Sequence, residues 1–323
     1  MKAIVYQEYG SPDVLELREI EKPIPNDNQV LVKVYAASVN PLDWHLLRGK
    51  PFVIRLMGFG LLKPKNQVLG ADIAGKVEAV GRNVTQFRVG DEVFGAARGG
   101  FAEYACFRED KLVLKPATVT FEHAAAVPVA GLTALQALRD HGRLQSGQQV
   151  LINGASGGVG TFAVQIAKAF GTHVTGVCST RNLEMVRSIG ADHVIDYTKE
   201  DFWRSGNEYD LIVDTAAFHS IREALRALKP TGIYVLVGGS TSTASVLLSL
   251  ILNPLIAGIE RRKLVSFMAR VKQSDLAILG ELLETGKVRP VIDRKYSLTE
   301  VSQAIRYVGE GHSQGKVVIT VHE

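Results

Sequence analysis

The stretch Val150-Leu-Ile-Asn-Gly-Ala-Ser-Gly-Gly-Val-Gly160, continued by Thr161-Phe-Ala-Val-Gln-Ile-Ala-Lys-Ala-Phe-Gly171, decides the fold, because it reads as strand, glycine turn and helix in immediate succession. Val150 to Ile152 give a short buried-strand signal. Gly157 lets the backbone close on a pyrophosphate, and Gly160 lets the following helix sit tight against its strand. Phe162, Ala163, Ile166, Ala167 and Phe170 recur at helical spacing, so one face of that helix packs on a sheet. The free N–H groups and positive dipole end of the helix then face the phosphates. Ala155 replaces the first glycine of G-x-G-x-x-G, while Gly154 keeps the turn flexible. The motif is a dinucleotide-binding turn.

The residues beyond the turn separate the two nicotinamide cofactors. The next strand, Val174-Thr-Gly-Val-Cys178, runs into Ser179-Thr-Arg-Asn182 rather than the Asp or Glu that accepts both adenosine ribose hydroxyls of NAD. Ser179 and Thr180 can donate hydrogen bonds, and Arg181 offers a planar fork for a 2'-phosphate. NADPH is therefore expected over NADH, with a solvated Arg181 ahead of the helix Leu183 to Ile189 as the other reading. A third strand, His193 to Tyr197, ends in an aromatic that either lies against the adenine or closes the core edge. Leu211 to Asp214 and Ile233 to Gly239 are further strands, flanking a helical segment from Ile221 to Leu228. This alternation predicts a parallel, doubly wound α/β sheet. Ligands bind such sheets at the carboxyl ends of the strands, which groups the glycine turn, Ser179, Asp214 to Ala216 and Gly238 to Ser240.

The 323 residues suffice for two domains, and 46% hydrophobic content is ordinary for a globular chain. A net charge of +4, without a dense basic block, argues against nucleic acid. Two cysteines exclude a disulfide framework and a four-cysteine zinc lobe, and they suit a reducing, cytoplasmic setting. Met1-Lys-Ala-Ile-Val-Tyr-Gln-Glu reads as a first strand, not a signal peptide. The longest apolar run, Ala244 to Ile259, is broken by Asn253-Pro254 and is too short to span a bilayer. It reads as a buried helix or subunit contact, as an apolar wall over the substrate, or as a peripheral membrane contact.

Outside this nucleotide domain the pattern changes. Residues 1 to about 120 carry one helical stretch, around Pro41 to Met57, and otherwise short strands. Val30, Val32 and Val34 alternate with Leu31, Lys33 and Tyr35; Ile73 to Val80, Glu92 to Phe94 and Ala102 to Phe107 come next. Lys316-Val-Val-Ile-Thr-Val321 is a last strand that returns to this region. The organisation expected is a mostly antiparallel barrel of residues 1–121 with 291–323, holding an inserted nucleotide-binding domain of residues 122–290.

Several motifs now act together: Ala37-Ser-Val-Asn-Pro-Leu-Asp-Trp44, Leu69-Gly-Ala-Asp-Ile-Ala-Gly-Lys-Val-Glu-Ala-Val-Gly81, Gly90-Asp-Glu-Val-Phe-Gly95, Gly99-Gly-Phe-Ala-Glu-Tyr104 and Gly131-Leu-Thr-Ala-Leu-Gln-Ala137. With the glycine turn, they resemble the medium-chain dehydrogenase/reductase superfamily, in its zinc-free quinone oxidoreductase branch, across the whole chain. The resemblance implies a Rossmann sheet inserted in a GroES-like barrel. It implies a homodimer and hydride transfer from NADPH to a quinone, alkenal or enone.

Residue by residue, it sets Thr133 and Val159 against the nicotinamide, has the backbone of Ser156, Gly157, Gly158 and Val159 donate to the pyrophosphate, and puts Ser179 and Arg181 on the 2'-phosphate. Tyr197 would meet the adenine, Gly238, Gly239 and Ser240 the nicotinamide ribose, and Lys316 would reach the cofactor from the returning strand. Asn40, Asp43 and His45 are the candidate catalytic residues, the first two lining a cleft between domains; alternatively, Asn40 and Asp43 merely start a helix. The zinc members place a cysteine where Asn40 stands and a His-Glu pair where Ala71-Asp72 stands, so no metal is expected. Two rival functions stay open. One is an enoyl-thioester reductase using Arg48, Lys50 and Lys63 for a carrier phosphate, the other a non-catalytic NADPH-binding interaction protein.

Overall fold

The computed structural model describes residues 1–216, 219–237, 263–311 and 313–322. Two compact units divide the chain: Met1–Leu132 with Val271–Glu323, and Thr133–Arg270.

In the second unit, six parallel strands form one sheet. From edge to edge they are His193–Asp196, His173–Cys178, Gln149–Asn153, Tyr209–Asp214, Leu228–Leu236 and Lys263–Ser266. The near-continuous apolar runs of the central strands bury both faces, as a sheet covered on both sides requires. The helix Gly158–Ala169 comes directly after the central strand, and Phe162, Ala163, Ile166 and Ala167 are fully buried. Truncating Phe162 to alanine would cost about 3–5 kcal/mol. Gly160 is required by packing, since a Cβ there would stand 2.1 Å from the Gly154 carbonyl oxygen.

The first unit is a seven-stranded sheet built around the long strand Gln29–Val39. That strand pairs antiparallel with Asp72–Val80, with Tyr104–Arg108 and with the returning strand Lys316–Thr320. Its alternating and then continuous burial places Val30, Val32, Val34 and Ala37 in one core with Ile73, Phe101 and Phe107. The architecture is that of a GroES-like barrel and a parallel Rossmann-type sheet.

Three boundaries differ from the sequence pattern. Residues 122–132 and 271–290 belong to the first unit, because Phe121 stacks on Tyr35 at 4.5 Å and Gln273 donates to the Leu112 carbonyl at 2.9 Å. The helix at Pro41 ends at Arg48, where Gly49 turns left-handed at φ 56° and Pro51 lacks an N–H. A separate π-helical turn then covers Arg55–Phe59. Finally, the helix at Ile221 is only Ile221–Ala224, succeeded by a 3-10 turn, and Leu228 already starts the next strand.

Candidate active site

The second unit builds its candidate site from backbone. Gly154 takes φ 80°, a conformation that favours glycine, and its carbonyl accepts the Gly157 N–H at 3.0 Å. Gly157 is the N-cap of Gly158–Ala169 and has no side chain to cap it. The first N–H groups of any helix lack intrahelical partners. Here the N–H groups of Gly158, Val159 and Gly160 have none among the described residues. Of the four expected donors, the Gly157 N–H is turned back onto the loop, while those of Ser156, Gly158 and Val159 have no partner among the described residues. A Cβ on Gly157 would meet only the Gly154 oxygen, at an ordinary 3.4 Å. The fold tolerates a side chain at 157 and forbids one at 160.

Asn182 holds the cradle to the end of the second strand. Its Nδ2 donates to Ser156 Oγ at 2.9 Å and to Ser179 Oγ at 3.2 Å, and its buried Oδ1 has no partner. Arg181 is exposed beside it, and Tyr197, two strands away from the turn, is 62% exposed. Thr180, a candidate phosphate donor, instead gives its hydroxyl proton to Asp196 at 2.6 Å. Asp214 faces inward as well: it accepts from Asn153 Nδ2 at 2.8 Å and from the Tyr234 hydroxyl, whose ionisation burial and the adjacent carboxylate suppress. Thr133 is half-buried on the helix Pro128–Gln136. Gly238, Gly239, Ser240 and the apolar run 244–259 lie outside the described residues.

The first unit uses buried side chains. Asn40 caps the helix Pro41–Arg48, and Asp43 closes the capping box by accepting the Asn40 N–H at 2.8 Å. Asp43 also accepts the Gly70 N–H at 3.1 Å. Asp72, fully buried at the head of its strand, accepts from Ser38 Oγ at 2.7 Å, Asn40 Nδ2 at 2.8 Å and the Val129 N–H at 2.9 Å. The Lys316 ammonium enters from the returning strand, 2.6 Å from Asn40 Oδ1 and 3.4 Å from Asp72 Oδ2. Burial lowers the Lys316 pKa, opposed by Asp72 and Asp43. Burial pushes the Asp43 carboxyl up to about 7, against the two N–H bonds it accepts.

A cavity of about 150 Å³ opens against Asp43, with Tyr6, Leu42, Phe59, Ala71 and Arg98 among its walls. Asn40, Asp43 and Lys316 therefore come together. His45 does not: residues two apart on a helix face different ways, and its ring bonds to the Lys50 carbonyl at 3.1 Å. Lys316 is committed to Asn40 and Asp72. Sequence reasoning missed Asp72 as the hub and Asn182 as the brace. A lone carboxylate heading the apolar run Ile73-Ala-Gly, and an Asn three residues after Ser179, were the available signals. Among the described residues, no group of three or more His, Cys, Asp or Glu could hold a metal.

Fold and cluster together are those of a two-unit dehydrogenase or reductase. Residues 26–117 match the alcohol dehydrogenase GroES-like domain, and residues 189–319 match the family described as zinc-binding dehydrogenase. A chloroplastic quinone-oxidoreductase of Triphysaria versicolor is 35% identical over 99% of this chain and 98% of its own. A 2-methylene-furan-3-one reductase of Solanum lycopersicum is 34% identical over 99% of this chain and 79% of its own. The solved quinone oxidoreductase of Coxiella burnetii superposes with a TM-score of 0.89 at 34% identity, covering 100% of this chain and 99% of that one. The chain belongs to the medium-chain dehydrogenase/reductase superfamily, in its quinone oxidoreductase-like branch. Among the described residues, no helix is long and apolar enough to cross a membrane.

Proposed function

We propose that this protein is a zinc-independent, NADPH-dependent oxidoreductase that reduces a quinone or an α,β-unsaturated carbonyl. The observation that carries the reading is the glycine turn: N–H groups at Gly158, Val159 and Gly160 without a partner among the described residues, beside a Gly157 whose missing side chain the fold itself does not require. A pyrophosphate would use that space and those donors. Asn182 Oδ1, buried and unpartnered, offers a further polar contact at the same edge. Ser179 and Arg181 would hold the 2'-phosphate, and Tyr197 the adenine. The named relatives support a quinone or an enone as acceptor.

Reduced nicotinamide, when bound, supplies a hydride. The chain's own residues then position the acceptor and manage the proton. Leu42 and Phe59 line the cavity, and Asp43 faces the same space with a carboxyl that burial pushes up to about 7, so that it is partly protonated at neutral pH. We assign it as proton donor to the reduced acceptor. Asn40 and Lys316 position it through the helix start. The donor set argues against catalytic zinc. Asn40 and Ala71 provide neither thiolate nor imidazole, and an ammonium already occupies the Asn40 and Asp72 oxygens. Without such a Lewis acid, simple alcohol oxidation lacks its usual activation.

The enoyl-thioester alternative loses ground here. Trp44 and Arg48 share the helix face away from Leu42, Asp43 and Leu46, and Arg48 and Lys50 line a separate hollow, which leaves Arg98 as the cation in the wall of the Asp43 cavity. The deciding experiment is NADPH oxidation by the purified chain with a panel of quinones, alkenals, enones and acyl thioesters, in the presence of chelator. Turnover with a quinone or enone that survives chelation is expected. NADPH binding without turnover on any acceptor would replace the enzyme reading with the binding-protein one.

A further inference from the structure

We propose that the segment from Arg48 to Lys65 docks the protein on an anionic lipid surface. The proposal is independent of which acceptor is reduced. From Trp44 to Ala71 the sequence contains no Asp or Glu, yet it carries Arg48, Lys50, Arg55, Lys63 and Lys65. None of these five is ion-paired among the described residues. Interleaved with them are Phe52, Leu56, Leu61 and Leu62, exposed by 52%, 65%, 51% and 88%.

The fold holds the four apolar side chains and Lys50, Lys63 and Lys65 outward and leaves Arg48 and Arg55 half-buried. Lys65 N–H donates to the Phe59 carbonyl at 2.8 Å, and the Tyr9 hydroxyl donates to the Gly60 carbonyl at 2.6 Å. That closes a turn whose tip is Leu61-Leu62, so these side chains cannot collapse onto the core. Arg55 lies over the Tyr9 ring at 4.3 Å and donates from Nε to the Gly49 carbonyl at 3.0 Å, while Arg48 lies over Trp44 at 4.9 Å. With Lys50 and Ser11, these groups line an open hollow of about 440 Å³. Asp13, which accepts from the lining hydroxyl of Ser11 at 2.9 Å, is already paired with Arg306 at 2.6 Å.

Charge and exposed hydrocarbon in one element distinguish the occupant. A free phosphate would satisfy the hollow and leave four large apolar side chains in water. A second copy meeting this face across a twofold axis would set five cations against five. An anionic bilayer interface supplies phosphate and hydrocarbon side by side, without requiring a spanning helix.

The test is sedimentation of the full chain with vesicles of phosphatidylcholine alone and of phosphatidylcholine mixed with phosphatidylglycerol. Binding to the mixed vesicles, weakened by salt, is expected. Each cation removed should weaken it about fivefold, so Lys63→Gln/Lys65→Gln should lose about 25-fold. Leu61→Ser/Leu62→Ser should also release the protein, and circular dichroism should report both variants folded, as their exposure requires. Should Leu61→Ser/Leu62→Ser fail to fold, Lys63→Gln/Lys65→Gln decides alone. The proposal is overturned by wild type that stays in the supernatant, by equal binding to neutral vesicles, or by variants that bind like wild type. It is equally overturned if inorganic phosphate at matched ionic strength displaces the protein completely, or if light scattering finds that Leu61→Ser/Leu62→Ser merely splits a dimer.

Discussion

The two units approach polar recognition from opposite directions. Thr133–Arg270 presents an edge made of peptide groups, from which side chains have been removed: Gly154, Gly157, Gly158 and Gly160. Met1–Leu132 with Val271–Glu323 presents a buried knot of side chains, Asn40, Asp43, Asp72 and Lys316, each bonded to another member or to backbone. The first kind of site is open to a ligand that brings its own charge. The second is already neutralised, and what it offers a ligand is a preset geometry and one carboxyl with a displaced pKa. Substitutions should therefore fail differently in the two places, as loss of binding in one and loss of stability or of pH behaviour in the other.

The largest effect expected is Gly157→Val. It should abolish NADPH binding by titration while leaving the melting temperature near wild type, because only the ligand needs that space. Gly160→Val is the control, since it meets the Gly154 carbonyl and should destabilise the fold itself. If both variants unfold, the contrast between ligand-imposed and packing-imposed glycine is wrong.

Next is Asp72→Ala, which leaves the Lys316 ammonium buried with only carbonyl partners. Breaking a buried pair from one side costs about 3–5 kcal/mol, measurable by urea unfolding. Asp72→Ala combined with Lys316→Met should recover part of that loss, and strict additivity would mean the pair is not coupled.

Asp43→Asn comes third. As a donor, Asp43 acts in its protonated form, so the wild-type rate should fall as pH rises through about 7. The variant should lose about a hundredfold in kcat, within the range for general acid catalysis, together with that limb of the profile. A variant that keeps the limb assigns the titration to another group.

The smallest is Arg181→Ala, which should weaken NADPH relative to NADH by about 1.5–3 kcal/mol, the size of a charge-assisted contact. Equal loss for both cofactors would remove the 2'-phosphate from Arg181.

The same contrast explains what the sequence made legible. A glycine turn is local: strand, loop and helix lie within 22 consecutive residues, from Val150 to Gly171, and backbone requirements appear directly as missing side chains. The parallel sheet could be inferred from it, whereas the Asp196 carboxylate that holds Thr180 beside Ser179 and Arg181 comes from the neighbouring strand and could not. The knot is assembled from distant parts. Asp72 was visible only as the neighbour of Ala71, which cannot bind metal, because nothing near Asp72 in the chain announces Lys316. His45 was misgrouped with Asp43 because proximity in sequence opposes proximity in space at that helical spacing. Asn182 escaped notice because a brace between two turns carries no periodic signature.

The separation of Asp72 from Lys316, 244 residues along the chain, also orders events during synthesis. The contiguous residues 133–270 are complete before the ribosome reaches position 271, and domains generally fold as units while they emerge. The first unit cannot be finished then. Its strand Gln29–Val39 waits for Lys316–Thr320 to pair with it, and the Asp72 carboxylate waits for its counterion. Synthesis thus makes the later-starting unit the first to mature, and the nascent protein spends that interval with an open clasp whose last tooth is a single lysine.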